Sequence, residues 1–221
     1  MSQESLSLSH ASPRIGGLLL AAGLGRRFDP EGKSHKLLAR LPDGQSLVRV
    51  SARALLPWVD RLTVVVGTHN TGIARELADL PVHIVVCAQS HEGPGASLRY
   101  GLNRVADAPR DPSDASSGVG AWLIALADMP FIAPSTYALM RQRAVQTLAS
   151  SDDRVWRPVH AGKPGHPVAV TAGLVHQFLC QDSDPARGLA VLWRGHPGLL
   201  REQPVEDAGC VRDVDYPTDL R

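Results

Sequence analysis

The order of apolar runs predicts a three-layer α/β/α fold with a mostly parallel central sheet and a small C-terminal β-containing lobe. Short β-branched or continuous apolar runs alternate with segments of helical period, and that alternation implies right-handed crossovers between parallel strands. The runs at 15–21, 62–66 and 121–127 are almost free of polar residues, as strands covered on both faces must be. At 221 residues the chain is ordinary for one large α/β domain and short for two. Residues 14–221 are therefore expected to form a single domain, and the polar, serine-rich residues 1–13 a disordered tail.

The elements follow in order. Ile15 to Ala21 is a buried strand closed by glycines. Ser46 to Trp58 places Leu47, Val50, Ala54, Leu55 and Trp58 at helical spacing, and Pro57 marks the exit. Leu62 to Val66 reads as a β-branched strand. Asn70 to Leu80 is a short helix, Val82 to Cys87 a third strand, and Ala96 to Ala106 a helix with Leu98, Leu102 and Val105 on one face. Asp107 to Gly120, rich in Pro, Asp, Ser and Gly, reads as a surface loop. Ala121 to Ala127 is the fourth buried strand, ending in Asp128-Met129-Pro130, and Tyr137, Met140, Ala144 and Leu148 mark the next helix. Beyond residue 150, strands at Arg154–Val159 and Pro167–Thr171, two short helices and a last strand near Val211–Val214 form the added lobe over the sheet's edge.

Composition excludes several classes. Hydrophobic residues at 43% with charged residues at 20% fit a packed core and not a disordered chain. With 23 Lys+Arg against 22 Asp+Glu, no global field attracts nucleic acid or an anionic membrane surface, so any anion site must be local. Leu18 to Ala22 is too short for a signal-peptide core or a membrane span. Three cysteines without C-x-x-C spacing argue against a disulfide framework and a zinc site, which points to the cytoplasm. The only lysines, Lys33, Lys36 and Lys163, each lie beside a glycine-containing loop, and a compact ammonium suits phosphate.

In open α/β sheets ligands sit beyond the carboxyl ends of strands, and the first such place holds Gly23 to Lys36. Gly23 and Gly25 permit close approach of main-chain amides, while Arg26, Arg27 and Lys36 can neutralise a polyphosphate. Three better-known motifs fail. A Walker A loop has Arg27 where its first glycine belongs. A dinucleotide fingerprint has Phe28 in place of its third glycine, and the second strand ends in Gly67-Thr68-His69 without an acid. Gly95-Ala96-Ser97-Leu98-Arg99 lacks the closing glycine of a nucleophile elbow. An isolated G-x-G is more often only a tight turn, with its arginines solvated; the whole string decides otherwise.

Leu20-Ala21-Ala22-Gly23-Leu24-Gly25-Arg26-Arg27-Phe28, followed by Lys36-Leu37-Leu38, resembles the L-A-A-G-x-G-x-R-[FM]…K-L-L signature of the MobA-like nucleotidyltransferases. Downstream, Glu92-Gly93 with Ser97-Leu98 and Gly101-Leu102 resembles E-G…S-L-x-x-G-L, and Ala127-Asp128-Met129-Pro130 resembles G-D-M-P. Gly165-His166-Pro167-Val168 matches G-H-P-V, Ala186-Arg187-Gly188-Leu189 resembles G-A-R-x-L, and Asp213 to Leu220 resembles D-I-D-T-P-E-D-L. Departures are a longer spacer at 29–35, Ala127 for glycine, and Pro185 for the glycine before Ala186.

The resemblance implies a Rossmann-like fold that moves a nucleotidyl group from a nucleoside triphosphate to a phosphorylated acceptor. The A-A-G form of the loop is most similar to the molybdenum cofactor cytidylyltransferases, which implies CTP, Mg²⁺ and the molybdenum-bound pterin. It also implies transient contact with a molybdoenzyme or its maturation factor. Leu20, Ala21, Ala22 and Gly23 are then expected at base and ribose, Gly25 in the phosphate turn, and Arg26, Arg27 and Lys36 at the triphosphate. Asp128 is the first-choice metal ligand, with a helix cap near Pro134 as the competing reading. Asp213 and Asp215, alternating on one strand face, could reach the same metal; one is expected to bind it, and the other, or Asp219, to serve the last helix. Ser97 is expected at the nucleotide or as a cap of its helix. His166 is aimed at substrate or is an ordinary loop histidine, and Lys163 and Arg187 are candidates for the acceptor phosphate. Two other classes remain: a metal-dependent glycosyltransferase, for which Asp213-Val214-Asp215 would be the D-x-D, and a non-catalytic cofactor chaperone.

Overall fold

The computed structural model describes residues 14–29, 35–69, 71–106, 118–150, 152–181 and 187–221. The expected tail at 1–13, Lys33, most of the loop at 107–120 and the Pro185-Ala186 departure lie outside the described residues.

Strand β1 (Arg14–Ala21) leads through α1 (Leu47–Leu55) to β2 (Arg61–Gly67), then α2 (Thr71–Glu76), β3 (Val82–Cys87), α3 (Pro94–Ala106), β4 (Val119–Leu126) and α4 (Pro134–Ala149). Four further strands follow: β5 (Val155–His160), β6 (Lys163–Pro164), β7 (Val168–Thr171) and, after α5 (Ala172–Cys180) and α6 (Ala190–Arg194), β8 (Leu200–Pro204). They form one eight-stranded sheet in the order β3-β2-β1-β4-β7-β5-β6, with β8 beside β5. β3, β2, β1 and β4 are mutually parallel, whereas β7 runs antiparallel to β4. The C-terminal β-containing lobe is thus continuous with the central sheet.

Period two in the strands divides the core. Ile15, Leu19 and Ala21 of β1 face the side covered by α1, α2 and α4, where Val48, Ala52, Ile73, Tyr137 and Met140 pack. Leu18 faces the opposite side with Val65 and Trp122, under Leu98 and Leu102 of α3 and Phe178 of α5. Alternate side chains point to opposite faces, so each central strand feeds two cores and must be apolar throughout.

Three expectations need correction. The helix expected over Ser46–Trp58 ends at Leu55, because Pro57 turns Leu56–Trp58 into a 3-10 turn. Of the helix expected over Asn70–Leu80, Thr71–Glu76 is regular and residues 77–80 form a turn, while Asn70 lies outside the described residues. No strand forms at Val211–Val214: Ala208–Val211 is a 3-10 turn and an extended segment follows. The last strand is β8, Leu-Arg-Glu-Gln-Pro, which pairs with β5 and exposes most of its side chains. Its polar composition leaves no period for a sequence reading to find.

Candidate active site

β1 pairs with β2 on one side and β4 on the other, so the chain reverses its direction of winding at β1, and the crevice beyond β1 and β4 is a switch point of the kind that holds ligands. A cleft of about 270 Å³ opens there, lined by Leu20, Gly23, Gly25, Arg26, Arg27, Phe28, Lys36, Leu37, Asp128, Asp213 and Asp215.

The turn after β1 is built for close approach. Gly25 has φ +62, and a Cβ on it would lie 2.8 Å from the Cβ of Lys36, so only glycine lets Lys36 pack against the turn. The carbonyl of Gly25 accepts from Phe28 N (2.9 Å) and Asp29 N (3.2 Å), which closes the bend. A Cβ on Gly23 would meet nothing within 4 Å. Among the described residues, the amides of Gly23, Leu24 and Gly25 donate to no protein acceptor, which leaves them available to an anion.

Lys36 opens a 3-10 turn capped by His35, whose Nδ1 accepts from Leu37 N at 3.2 Å. Leu37 is buried in the core, which roots the turn. The ammonium of Lys36 donates to Asp128 Oδ2 at 2.7 Å and to Asp215 Oδ1 at 3.2 Å. Arg27 pairs with the other oxygen of Asp215 at 2.5 Å.

The carboxylates converge for a local reason. Asp128 lies in the turn two residues beyond β4, and its carbonyl accepts from Val214 N at 2.9 Å, tying the C-terminal segment to that turn. Val214 is fully buried with Leu41 and Leu47, so the extended backbone turns its neighbours Asp213 and Asp215 outward to the cleft. Asp219 braces the segment by accepting from Asp215 N (3.0 Å) and Tyr216 N (2.7 Å), and those amides hold its carboxyl below the usual range. Asp215, not Asp213, shares a cation with Asp128. Among the described residues, no three His, Cys, Asp or Glu side chains form a self-contained metal site.

Other candidates lie elsewhere. Ala21 and Ala22 are buried behind the turn. Ser97 is buried in the first turn of α3 beside Cys87 and does not line the cleft. Lys163 is exposed on β6 and Arg187 is exposed after α5; neither lines the cleft. His166 is half-buried beside Asp128, and its amide donates to Cys210 O at 2.9 Å. Burial pushes its pKa down to about 4 against the opposing charge of Asp128, so at neutral pH it is an uncharged imidazole. Phe28 and Leu37 form apolar walls that residue chemistry does not single out; their place inside the motif string is the only signal. No described helix is long and apolar enough to cross a membrane.

The MobA-like NTP transferase domain matches residues 17–199. A curated relative, the bifunctional enzyme IspD/IspF of Gluconobacter oxydans (strain 621H), is 36% identical over 102 residues, 45% of this chain and 25% of that protein; the chain therefore matches only about a quarter of that relative's length. A nucleotidyl transferase from Methanothermobacter superposes with a TM-score of 0.72 at 20% identity, covering 93% of this chain and 94% of that one. The inositol-1-phosphate CTP transferase of T. maritima does so with a TM-score of 0.65 at 16% identity, covering 96% and 93%. At such identities the two structures show a common fold.

Proposed function

This chain belongs to the MobA-like NTP transferases, and from that premise we propose that it transfers a cytidylyl group from CTP to a phosphorylated acceptor, with the molybdenum-bound pterin phosphate as the acceptor and pyrophosphate as the product. The observation that carries the reading is that the glycine turn after β1 and the Asp128–Asp215 carboxylates open on one cleft. The A-A-G form of the turn supports CTP, and the shared fold of a CTP transferase is compatible with it.

An oxygen of the acceptor phosphate attacks the α-phosphorus of the nucleotide. The new P–O bond forms as the bond to the β-bridging oxygen breaks, and that oxygen keeps the electron pair as pyrophosphate leaves. The acceptor is already anionic near neutral pH, so the reaction needs alignment and charge neutralisation more than a general base. Of the residues that line the cleft, Leu20 and Gly23 are assigned to base and ribose, the amides of Gly23 to Gly25 to phosphate oxygens, and Arg26, Arg27 and Lys36 to the departing charge.

The site's acids suit a divalent ion. Asp128 and Asp215 offer hard oxygens that already converge on one cation, the ammonium of Lys36. Two carboxylates completed by substrate phosphates are the usual complement of Mg²⁺. Bound there, Mg²⁺ would screen the negative charge that builds up on the phosphoryl oxygens. His166, uncharged, offers a hydrogen bond and not a charge beside Asp128. Lys163 and Arg187 are assigned to an acceptor that reaches beyond the cleft, and a molybdoenzyme or its maturation factor to receipt of the product.

Thermal stabilisation by each of the four ribonucleoside triphosphates with Mg²⁺ tests the base, since a ligand raises stability by mass action. CTP should raise the melt most; a shift with GTP alone refutes the cytidylyl assignment. Pyrophosphate release with CTP and the pterin acceptor tests the rest. Release with a sugar phosphate instead would replace the acceptor, and none with any triphosphate would favour a cofactor chaperone.

A further inference from the structure

We propose that Lys36 is a tethered counter-ion: it occupies the acidic pair of the nucleotide-free protein and yields that place to a divalent ion only when a triphosphate draws it away. The inference rests on the proposed metal role of Asp128 and Asp215. Lys36 is buried, its stem lies on Gly25, and its ammonium spans Asp128 Oδ2 (2.7 Å) and Asp215 Oδ1 (3.2 Å). Arg27 holds Asp215 Oδ2 at 2.5 Å. Both oxygens of Asp215 and one of Asp128 are therefore engaged by cations that themselves line the cleft.

Charge sets the consequence. Two carboxylates facing two cations are already neutral as a group, so a divalent ion entering alone would have to displace Lys36 and leave its ammonium without a counter-charge in a partly buried site. A triphosphate supplies new acceptors for Lys36 and Arg27 at the same moment, which frees the carboxylates for the metal. Metal and nucleotide thus bind with positive coupling, and by linkage each raises the affinity for the other by the same factor. The cation that holds the substrate phosphates is also the group that keeps the metal out before the substrate arrives.

The sign of the test is unusual, because removing a positive side chain from the nucleotide turn should strengthen metal binding. Mn²⁺ is titrated into nucleotide-free protein and the free ion read by electron paramagnetic resonance. Lys36→Met keeps the aliphatic stem and should bind Mn²⁺ about tenfold more tightly than the wild type, within the range of ordinary site–site coupling. Mn²⁺ without nucleotide should also raise its melting temperature more than that of the wild type. The gain should vanish in Lys36→Met/Asp128→Asn. Arg27→Met changes a mostly exposed side chain, 68% accessible, and should show a smaller gain in the same direction, which covers the case in which Lys36→Met does not fold. Unchanged Mn²⁺ affinity in a folded Lys36→Met, or in Arg27→Met if Lys36→Met does not fold, with pyrophosphate release still dependent on the metal, overturns the counter-ion role alone. Release that survives exhaustive chelation overturns the metal reading and this proposal with it.

Discussion

Gly23 and Gly25 lie two residues apart in one turn, yet their structural demands differ, and exchanging each for alanine should separate folding from binding. At Gly25 the φ of +62 costs an L-residue about 1–2 kcal/mol. The new methyl would also stand 2.8 Å from the Cβ of Lys36, where carbon contacts of about 3.5–4.0 Å are normal. Overpacking of that kind costs about 1–3 kcal/mol, so Gly25→Ala should lose about 2–5 kcal/mol and melt roughly 4–20 °C lower. At Gly23 the methyl meets nothing within 4 Å and φ is not left-handed. Gly23→Ala should hold or raise stability by up to about 1 kcal/mol through the unfolded chain. Its methyl, however, lies on the lining of the cleft and should lower CTP affinity by about tenfold, the loss expected when one close phosphate contact of about 1.4 kcal/mol is blocked. Denaturant melts and calorimetric titration with CTP and Mg²⁺ read the two effects. Wild-type CTP affinity in Gly23→Ala, or a wild-type melt in Gly25→Ala, would refute the reasoning.

Three further outcomes are expected. Asp128→Asn should reduce pyrophosphate release by at least ~100-fold, several kcal/mol of lost charge stabilisation, with an unchanged circular dichroism spectrum; near-normal turnover would remove Asp128 as a metal ligand. Gly16→Ala places a methyl within the Trp122 indole and should cost about 1–3 kcal/mol without altering CTP affinity, as tryptophan-monitored melts would show. Burial lowers the pKa of His166 to about 4 from an ordinary 6.5, so between those values the unfolded chain binds a proton that the folded one does not. Stability from the neutral ring is complete above about pH 6.5 and falls toward pH 4 by no more than ~1.4 kcal/mol per unit. His166→Asn should flatten that slope, and identical slopes in the two proteins would show that the ring is not desolvated.

Local pattern was enough for the central elements, because burial on both faces forces apolar runs such as Leu18–Leu20 and Leu123–Leu126, and the covering helices must repeat near every third or fourth residue. The glycine turn and Asp128 were legible as well, since each follows a strand that declares itself. β8 was not, because it is exposed and polar, and Val211–Val214 reads as a strand although no neighbouring strand pairs with it. Which acid joins Asp128 depends on contacts that no local spacing records: Lys36 reaches Asp128 across 92 residues and Asp215 across 179. Val214, buried against Leu41 and Leu47, aims its flanking acids into the cleft. Sequence by itself determined the succession of the four central strands and the residue types that follow them, since both rest on short-range burial and turn requirements. Tertiary structure alone decided which charges meet, because that depends on how distant segments pack against one another.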